Sequence, residues 1–245
     1  MLRPEPILVA SGINSAPAEG AEQSLAAWSA ELGLTPSPNQ LQAIERFLDL
    51  LMRWNRTYNL TAVRDRGAMR TQHVVDCLAL VPPLLRHAAT HRVESVLDVG
   101  SGGGLPGVLI AILNPALAVT CVDAVAKKAA FVRHVAGALE LRNLQSTHAR
   151  VQDLSVERPR YDLITSRAFA SLLDFVLWTE GTLQAGGAWV AMKGAHPHAE
   201  LDALPPWVEV FHVEPLQVPG LSARRCLVWM KRGAESDALP SAARV

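Results

Sequence analysis

The chain has 245 residues, of which 49% are hydrophobic, and its 23 Lys and Arg residues balance 23 Asp and Glu residues. This length suffices for one α/β domain with a smaller helical part, and the hydrophobic content excludes an intrinsically disordered chain. A net charge of zero excludes a uniformly basic nucleic-acid-binding surface but is compatible with a local basic patch.

The apolar and cysteine residues predict a cytoplasmic protein. The apolar runs are shorter than the roughly 18 residues that cross a bilayer, and residues 1–10 lack the long apolar block of a signal peptide. Cys77, Cys121 and Cys226 stand alone in the sequence, which favours reduced, buried thiols over disulfides, a zinc site or a catalytic thiol. We therefore expect neither a membrane segment nor a bound metal.

The N-terminal part of the chain is predicted to be helical. Residues 1–20 are rich in Ala, Pro, Ser and Gly and predict a flexible extension. A helical region is expected over residues 21–92, and its first helix spans Glu22 to Leu32.

Two further helices are expected in this region. Ser37-Pro38-Asn39-Gln40 has a capping Ser, a Pro at the first helical position and a Gln three residues after the cap, which predicts a helix start. The apolar residues that follow recur at helical spacing, so this helix should bury one face. Another helix is expected near Ala68–Leu80, and it should stop at Pro82-Pro83 because proline disrupts a helix interior.

From Glu94 onward, predicted strands alternate with predicted helices, which indicates an α/β, Rossmann-like domain over residues 93–232. The last two strands have no helix between them, so we expect a seven-stranded, mostly parallel sheet with an antiparallel edge hairpin. Residues 233–245 predict a flexible tail. The predicted strands are Ser95–Val99, Ala118–Asp123, Leu144–His148, Tyr161–Ser166, Ala188–Lys193, Val208–Val213 and Arg225–Lys231. The predicted helices lie near Pro106–Leu113, Ala126–Leu139 and Ser171–Leu183.

A glycine-rich loop is the strongest functional signal in the sequence. The segment Val96–Gly107 joins an apolar strand to an apolar helix through this loop. Glycines allow positive φ and let the backbone approach a ligand, and the free N–H groups at the following helix N-terminus favour a carboxylate or phosphate. The sequence therefore predicts a nucleotide-like cofactor beside the loop.

Two cofactors fit this loop. Gly102, Gly104 and Gly107 match the fingerprint G-x-G-x-x-G, which is typical of an NAD-dependent oxidoreductase. Two details favour S-adenosylmethionine instead. Asp98 ends the strand where a carboxylate would pair with an ammonium group, and Pro106 is expected at the first helical position.

A second acidic residue supports the same kind of site. Asp123 ends the second predicted strand, where such folds place a carboxylate for the ribose hydroxyls of either cofactor. Asp98 and Asp123 are therefore candidate cofactor residues, together with Gly102 in the loop. Their alternative role is helix capping or turn stabilisation, because Asp is common at such ends.

Four segments of the sequence share their order and spacing with one known family. They are Trp54–Asp65, His73–Cys77, the glycine loop with its Leu105-Pro106-Gly107 ending, and Ser166–Ser171 followed by Met192-Lys193-Gly194. On these segments the chain resembles the ribosomal RNA small subunit methyltransferase G family, also called glucose-inhibited division protein B, although Cys77 stands where the family usually has Ser. The resemblance implies a class I, S-adenosylmethionine-dependent methyltransferase fold. It also implies methylation of guanine N7 in the 530 loop of 16S rRNA.

The resemblance further implies the cofactor contacts. They carry over to Gly100 and Leu105 in the loop, Val151 and Gln152 after the third strand, and Arg167 at the end of the fourth strand. Family members more often have Glu where Gln152 stands, so a backbone contact is expected there. A cation beside the positively charged sulfur is unfavourable, so Arg167 should face the methionine carboxylate or an RNA phosphate, or else form a surface ion pair.

A local basic cluster and two aromatic residues supply the candidate RNA contacts. Unpaired RNA bases are read by aromatic and guanidinium planes and by hydrogen bonds to their edges. Tyr58 and Phe169 are candidates for such base contacts but can equally belong to the core, which is favoured for Phe169. A solvated helix face explains the mixed charges of the cluster equally well. The candidate substrate-binding residues are Arg56, Asn59, Arg64 and Lys193, with Arg53, Arg66 and Arg70 as further phosphate contacts.

The expected reaction does not require a catalytic side chain. Guanine N7 carries a lone pair and no proton, so methyl transfer to it needs positioning rather than a general base, and no catalytic residue is predicted. We expect a monomer that acts on 16S rRNA or on the small ribosomal subunit. Besides the oxidoreductase, two alternatives stay open: a non-catalytic regulator that retains the cofactor fold, and a small-molecule methyltransferase whose N-terminal region forms a substrate lid.

Overall fold

The computed structural model describes residues 24–154 and 161–233. The predicted extension over residues 1–20 and the tail beyond residue 233 lie outside the described residues. Among the described helices, none is both long and apolar enough to cross a membrane.

Two capped helices begin the described chain. α1 (Leu25–Glu31) starts after Ser24, whose hydroxyl accepts a hydrogen bond from the first turn. α2 (Pro38–Tyr58) starts with the predicted capping box, in which the Ser37 hydroxyl accepts from the Gln40 N–H and the Gln40 side chain accepts from the Ser37 N–H. Both caps satisfy backbone N–H groups that have no partner inside the helix.

The segment after α2 differs from the single helix predicted over Ala68–Leu80. It consists of α3 (Arg66–Met69), a π-helical segment (Arg70–Val75) and α4 (Asp76–Leu78). A π-helical turn is rare and short, and apolar spacing does not distinguish it from a regular α-helix. The prediction was right that the segment is helical and wrong about its geometry.

The prolines at 82 and 83 begin a helix that the sequence analysis missed. α5 (Val81–Thr90) starts there, with both prolines in its first turn. The N–H groups of a first turn have no acceptor within the helix, so proline is tolerated at this position. The preceding helical segment ends at Leu78, before the prolines as expected, but the start of a new helix at Val81 was not predicted.

Seven strands of the described chain form one sheet. They are β1 (Ser95–Val99), β2 (Ala118–Asp123), β3 (Leu144–His148), β4 (Tyr161–Arg167), β5 (Leu183–Lys193), β6 (Val208–Leu216) and β7 (Arg225–Arg232). Their order across the sheet is β3-β2-β1-β4-β5-β7-β6. β1 to β5 run parallel, whereas β7 is antiparallel to both β5 and β6. This confirms the predicted sheet with its antiparallel edge hairpin.

The helices that follow β1, β2 and β4 are α6 (Gly107–Leu113), α7 (Ala126–Ala138) and α8 (Leu172–Thr179). The helix predicted over Ser171–Leu183 is too long, because Glu180–Thr182 forms a 3-10 turn and Leu183 already belongs to β5. A short helix that the sequence analysis missed, α9 (His198–Asp202), lies between β5 and β6.

The helical N-terminal region packs along α6 and reaches the glycine loop at the carboxyl ends of the strands. The Gln40 amide donates to the carbonyl oxygens of Ile112 and Leu113 at 3.0 and 3.2 Å, which ties α2 to the end of α6. A Cβ atom built on Gly103 would lie 3.0 Å from a methyl group of Leu51 on α2. The region therefore contacts the glycine loop directly and forms one wall of any site there.

Candidate active site

The loop between β1 and α6 has the backbone that its glycines predict. Gly100, Gly102 and Gly104 have φ values of +65°, +56° and +81°, in the left-handed region that favours glycine. The N–H groups of Gly100 and Ser101 donate to the carbonyl oxygen of Val122 at 2.9 and 3.2 Å. The loop is thereby fixed to the carboxyl end of β2.

Asp98 lies beneath this loop rather than on its surface. Its side chain is fully buried, and its Oδ2 accepts a hydrogen bond from the Gly107 N–H at 2.8 Å. Its Oδ1 has no hydrogen-bond partner among the described residues. Burial raises the pKa of this carboxyl to about 7, although the Gly107 hydrogen bond acts in the opposite direction. The structure thus places Asp98 where the capping alternative requires it, at the start of α6.

The start of α6 corrects one detail of the sequence analysis. Pro106 precedes the helix, and Gly107 is its first residue. A Cβ atom on Gly107 would collide with Sγ of Cys121 and lie 2.8 Å from Oδ2 of Asp98. Gly107 is therefore required by close packing between the helix and the sheet, as the third glycine of such fingerprints is expected to be.

Asp123 holds the loop from the other side. Its Oδ2 accepts from the Gly102 N–H at 2.9 Å, and its Oδ1 accepts from the Val125 N–H at 2.8 Å. The Nζ atom of Lys128 lies 4.0 Å from Oδ2. Unlike Asp98, Asp123 faces an open cavity, so each oxygen keeps a lone pair for a ligand.

Two cavities meet at Gly100. The first, here called the crevice, has a volume of about 370 Å³ and lies between the ends of β1, β2 and β4. The second, here called the glycine-loop cavity, has a volume of about 260 Å³ and is closed by Leu51 and Thr61 of the N-terminal region. Seven of the eight predicted cofactor residues line them, and Asp98 is the exception. The crevice contains Gly100, Asp123, Val151 and Gln152, and the glycine-loop cavity contains Gly100, Gly102, Leu105 and Arg167.

An aromatic pair that the sequence analysis did not foresee forms one wall of the crevice. Phe169 is half-buried, and its ring lies 5.5 Å from that of Trp178 on α8. Phe169 packs against the hydrophobic core beside Phe175, as favoured in the sequence analysis, and its ring also lines the crevice. Trp178 carried no signal in the sequence, because its proximity to Gly100 depends on the turn between β4 and α8.

Arg167 belongs to a partly buried ion-pair network. Its Nη1 lies 3.5 Å from Oδ2 of Asp76, whose Oδ1 accepts from Nε of Arg225 at 2.7 Å. The same Nη1 donates to the Gln72 carbonyl oxygen and lies 3.3 Å from Nδ1 of His73. Asp76 thus joins the π-helical segment and α4 to β4 and β7. The sequence analysis quoted Asp76 within a motif but gave it no role.

This network borders a third cavity of about 660 Å³, which also contains Lys193. Lys193, a predicted phosphate contact, forms an ion pair with Glu200 on α9 at 2.6 Å. His73 lines both this cavity and the glycine-loop cavity, and its Nε2 lies 2.6 Å from Oγ1 of Thr61. Burial and the adjacent Arg167 lower the pKa of His73, which favours its neutral form.

The predicted basic cluster divides into paired and unpaired arginines. Arg66 contacts both Glu45 and Asp49, and Arg70 contacts Glu45, at distances between 2.6 and 3.0 Å. These two predicted phosphate contacts are therefore already neutralised by α2. The exposed Arg56 and Arg64 form no ion pair with any of the described residues, and they line a fourth cavity of about 300 Å³.

Two other predicted RNA contacts lie at the end of α2. Asn59 terminates the helix in a left-handed conformation, with φ of +48°, and its Oδ1 lies 3.5 Å from Nη2 of Arg64. Tyr58 is 43% exposed and packs against Trp54 with 5.1 Å between ring centroids. Tyr58 is therefore a surface residue, which removes the core alternative.

The sheet order, the glycine loop after β1 and the carboxylate that ends β2 together define a class I methyltransferase fold. A ribosomal protein L11 methylase from Lactobacillus delbrueckii subsp. bulgaricus superimposes with a TM-score of 0.50 and 15% identity, covering 63% of this chain and 77% of that one. A mutant of MtNAS solved in complex with S-adenosylmethionine gives a TM-score of 0.54 with 14% identity, covering 79% of this chain and 76% of that one. At these identities the likeness shows the fold alone.

Similarity in sequence identifies the family. Residues 40–228 match the GidB family, described as rRNA small subunit methyltransferase G. The ribosomal RNA small subunit methyltransferase G of Polaromonas sp. strain JS666 is 53% identical over 215 residues, which is 86% of this chain and 94% of that protein. The chain belongs to the rRNA small subunit methyltransferase G family, and the resemblance seen in its four motifs is confirmed.

Proposed function

We propose that this rRNA small subunit methyltransferase uses S-adenosylmethionine to methylate N7 of a guanine in the 530 loop of 16S rRNA. The observation that supports this most is the meeting of the crevice and the glycine-loop cavity at Gly100. Both lie at the carboxyl ends of parallel strands, where α/β folds bind their ligands. The family match removes the oxidoreductase alternative, which rested only on the glycine fingerprint.

The crevice fits the adenosine part of this cofactor. A Cβ atom on Gly100 would lie 3.6 Å from the Phe169 ring, so a glycine keeps the gap between loop and ring open. We propose that the Asp123 carboxylate, oriented by two backbone N–H groups, accepts hydrogen bonds from the ribose hydroxyls. The side chain of Val151 and the backbone of Gln152 are positioned to bind the adenine ring.

The glycine-loop cavity fits the methionine part. Gly100 and Gly102 supply backbone without side chains, Leu105 supplies an apolar contact, and the guanidinium of Arg167 is available to a carboxylate. Direct pairing of Asp98 with an ammonium group would require the loop to open, because the Asp98 side chain is fully buried. We therefore propose that Asp98 supports the site through its hydrogen bond to Gly107.

The reaction requires positioning rather than proton transfer. When bound, S-adenosylmethionine supplies a methyl group whose transfer breaks a sulfur–carbon bond, forms the N7–carbon bond and moves the positive charge to the purine. No residue of the chain has to remove a proton, because guanine N7 has none. The residues around Gly100 align the methyl donor with guanine N7 and exclude water. Such positioning lowers the activation barrier by several kcal/mol or more.

Transfer of a labelled methyl group tests the proposal. The protein is incubated with labelled S-adenosylmethionine and either small subunits or naked 16S rRNA that lack the modification, and the labelled nucleotide is mapped. We expect label at one guanine of the 530 loop, and none when that guanine is replaced. Label on another nucleotide would contradict the proposed target. Label on no RNA would favour the regulator or small-molecule alternative.

A further inference from the structure

The cavity between Arg56 and Arg64 lies outside the cofactor site and has a defined floor. It is lined by Met52, Asn55, Arg56, Arg64 and Met69, and is here called the arginine cavity. Met52 is partly exposed and forms the accessible part of this floor, whereas Met69 is completely buried, so the floor is apolar and polarisable. Its volume of about 300 Å³ is within the range of small-molecule sites, which begins at roughly 300 Å³.

A buried amide fixes the shape of this cavity. The Asn55 Nδ2 donates to the Val63 carbonyl oxygen at 3.0 Å, and its Oδ1 accepts from the Thr61 N–H at 2.8 Å. These bonds fasten the loop after α2 back onto the helix, so that Arg64 on the loop faces Arg56 on the helix. The amide nitrogen and the amide oxygen each make one of these bonds, and the arginines supply the charged groups of the cavity.

The charge of the cavity is not compensated within the described chain. Nearby Arg66 and Arg70 are paired with carboxylates of α2, whereas Arg56 and Arg64 are exposed and form no ion pair with the described residues. The only polar contact of Arg64 in the described region is the 3.5 Å approach of its Nη2 to Oδ1 of Asn59. Two guanidinium groups above an apolar floor suit a ligand that combines an anion with a flat, polarisable ring.

We propose that the arginine cavity binds an unpaired nucleotide of the rRNA substrate, distinct from the nucleotide that is methylated. The base enters between the arginines onto the methionine floor, and a guanidinium pairs with its phosphate. Thr61 and Arg64 are three residues apart, so their Cα atoms are separated by at most about 11 Å. Because Thr61 lines the glycine-loop cavity, which is proposed to hold the methionine part of the cofactor, an RNA strand bound in the arginine cavity can also reach the methyl donor. The inference rests on the proposed function for the identity of the RNA.

Methionine methyl groups report on occupancy without any need for activity. Full-length protein with 13C-labelled methionine methyl groups is titrated with a short unstructured RNA oligonucleotide, with inorganic phosphate and with an acidic peptide. We expect the signals of Met52 and Met69 to shift with the oligonucleotide while that of Met230, buried in β7, does not. Equal shifts with phosphate or with the peptide would overturn the nucleotide assignment, as would no shift with the oligonucleotide.

Charge-removing variants then test the role in the reaction. In Arg56→Gln and in Arg64→Gln we expect the KM for unmodified small subunits to rise about tenfold, the magnitude typical of one lost base or phosphate contact. The slope of log affinity against log salt should fall by about 0.7 for each phosphate contact that is lost. The kcat at saturating RNA and the Kd for S-adenosylmethionine should stay within twofold of the wild type.

Arg142→Gln is the matched control. Arg142 is exposed and forms no ion pair with the described residues. It precedes β3 and so lies at the amino ends of the strands, away from the edge that carries the proposed site. Cavity variants that behave like this control would overturn the inference, even if the wild type methylates rRNA as proposed. Conversely, a wild type without rRNA activity contradicts the proposed function, while the methionine titration still decides whether the cavity binds a nucleotide.

Discussion

Replacement of Asp76 by asparagine tests whether this residue supports the active site by positioning Arg167. The Asp76 side chain is 4% exposed and lies between Arg225 and Arg167, at 2.7 and 3.5 Å. Asp76→Asn conserves the shape of the side chain but removes its charge. The amide oxygen can still accept the Arg225 hydrogen bond, whereas Arg167 loses its charged partner.

The size of the effect follows from burial. Removing one partner from a fully buried ion pair costs about 3–5 kcal/mol, because the other charge is left without compensation. Here Arg167 and Arg225 are 24% and 25% exposed, so water can solvate part of their charge. We therefore expect the free energy of unfolding to fall by about 2–3 kcal/mol. For a chain of this size that corresponds to a decrease in Tm of roughly 4–12 °C.

Two measurements distinguish structural support from a loss of stability alone. Urea unfolding at pH 7 gives the change in unfolding free energy, with Asp202→Asn as a control because Asp202 is exposed on α9. A double-mutant cycle of Asp76→Asn with Arg225→Gln gives the coupling between the two residues. We expect a coupling of at least about 1 kcal/mol, and a higher Kd for S-adenosylmethionine at temperatures where the variant is folded.

The reasoning would be refuted by a variant as stable as the Asp202→Asn control. It would also be refuted by additive effects in the cycle, because additivity would mean that Asp76 and Arg225 do not interact in solution. A loss of stability with an unchanged cofactor Kd would show that Asp76 supports the fold and does not position Arg167.

Three further predictions concern the glycine loop. Gly100→Arg should abolish S-adenosylmethionine binding in calorimetry while the far-UV circular dichroism spectrum stays native. The control is Gly186→Arg, which should bind normally because Gly186 has a similar φ of +75° but lies near the start of β5, away from the carboxyl ends of the strands. Normal affinity in both variants would refute the assignment of the cofactor site. Gly107→Ala should lower the unfolding free energy by about 1–3 kcal/mol through overpacking. Gly137→Ala, in open space on α7, should raise it by about 0.5–1 kcal/mol, and equal effects in urea unfolding would contradict the steric argument. The pKa of Asp98 is higher in the folded state, about 7, than its ordinary value of 3.8, so the folded chain binds this proton more tightly and its stabilising effect is lost as pH rises toward 7. The unfolding free energy of wild type relative to Asp98→Asn should therefore decrease between pH 4.5 and pH 7.5, and a pH-independent difference would show that Asp98 is ionised throughout.

Local sequence patterns predicted the parts of this fold that depend on local burial. The bounds of β1, β2 and β3 agree with those predicted. β1 and β2 lie inside the parallel sheet and are mainly apolar, whereas β3 is a mostly polar strand at the edge of the sheet. The capping box at Ser37 was predicted because its two hydrogen bonds join residues three apart. By contrast, Pro82 and Pro83 were interpreted as a helix stop, although proline suits a helix start equally well.

The candidate site was predictable where its residues follow strands and unpredictable where they meet across the fold. Gly100, Asp123 and Arg167 end or follow β1, β2 and β4, so strand order alone brings them to one edge. The contact between Asp76 and Arg225 joins residues 149 positions apart, and no periodicity records it. The same holds for Phe169 and Trp178, which share a cavity wall only because of the turn before α8.

The basic cluster shows why net charge is a poor guide to RNA binding in this chain. Formal charges sum to zero, yet pairing is uneven: the carboxylates of α2 neutralise Arg66 and Arg70, whereas Arg56 and Arg64 remain unpaired among the described residues. Electrostatic attraction to phosphate depends on charges that are free and close to the surface, because compensated pairs contribute little beyond a Debye length of about 8 Å. Pairing therefore leaves Arg56 and Arg64 available to phosphate, and a chain with no net charge can present a local positive patch.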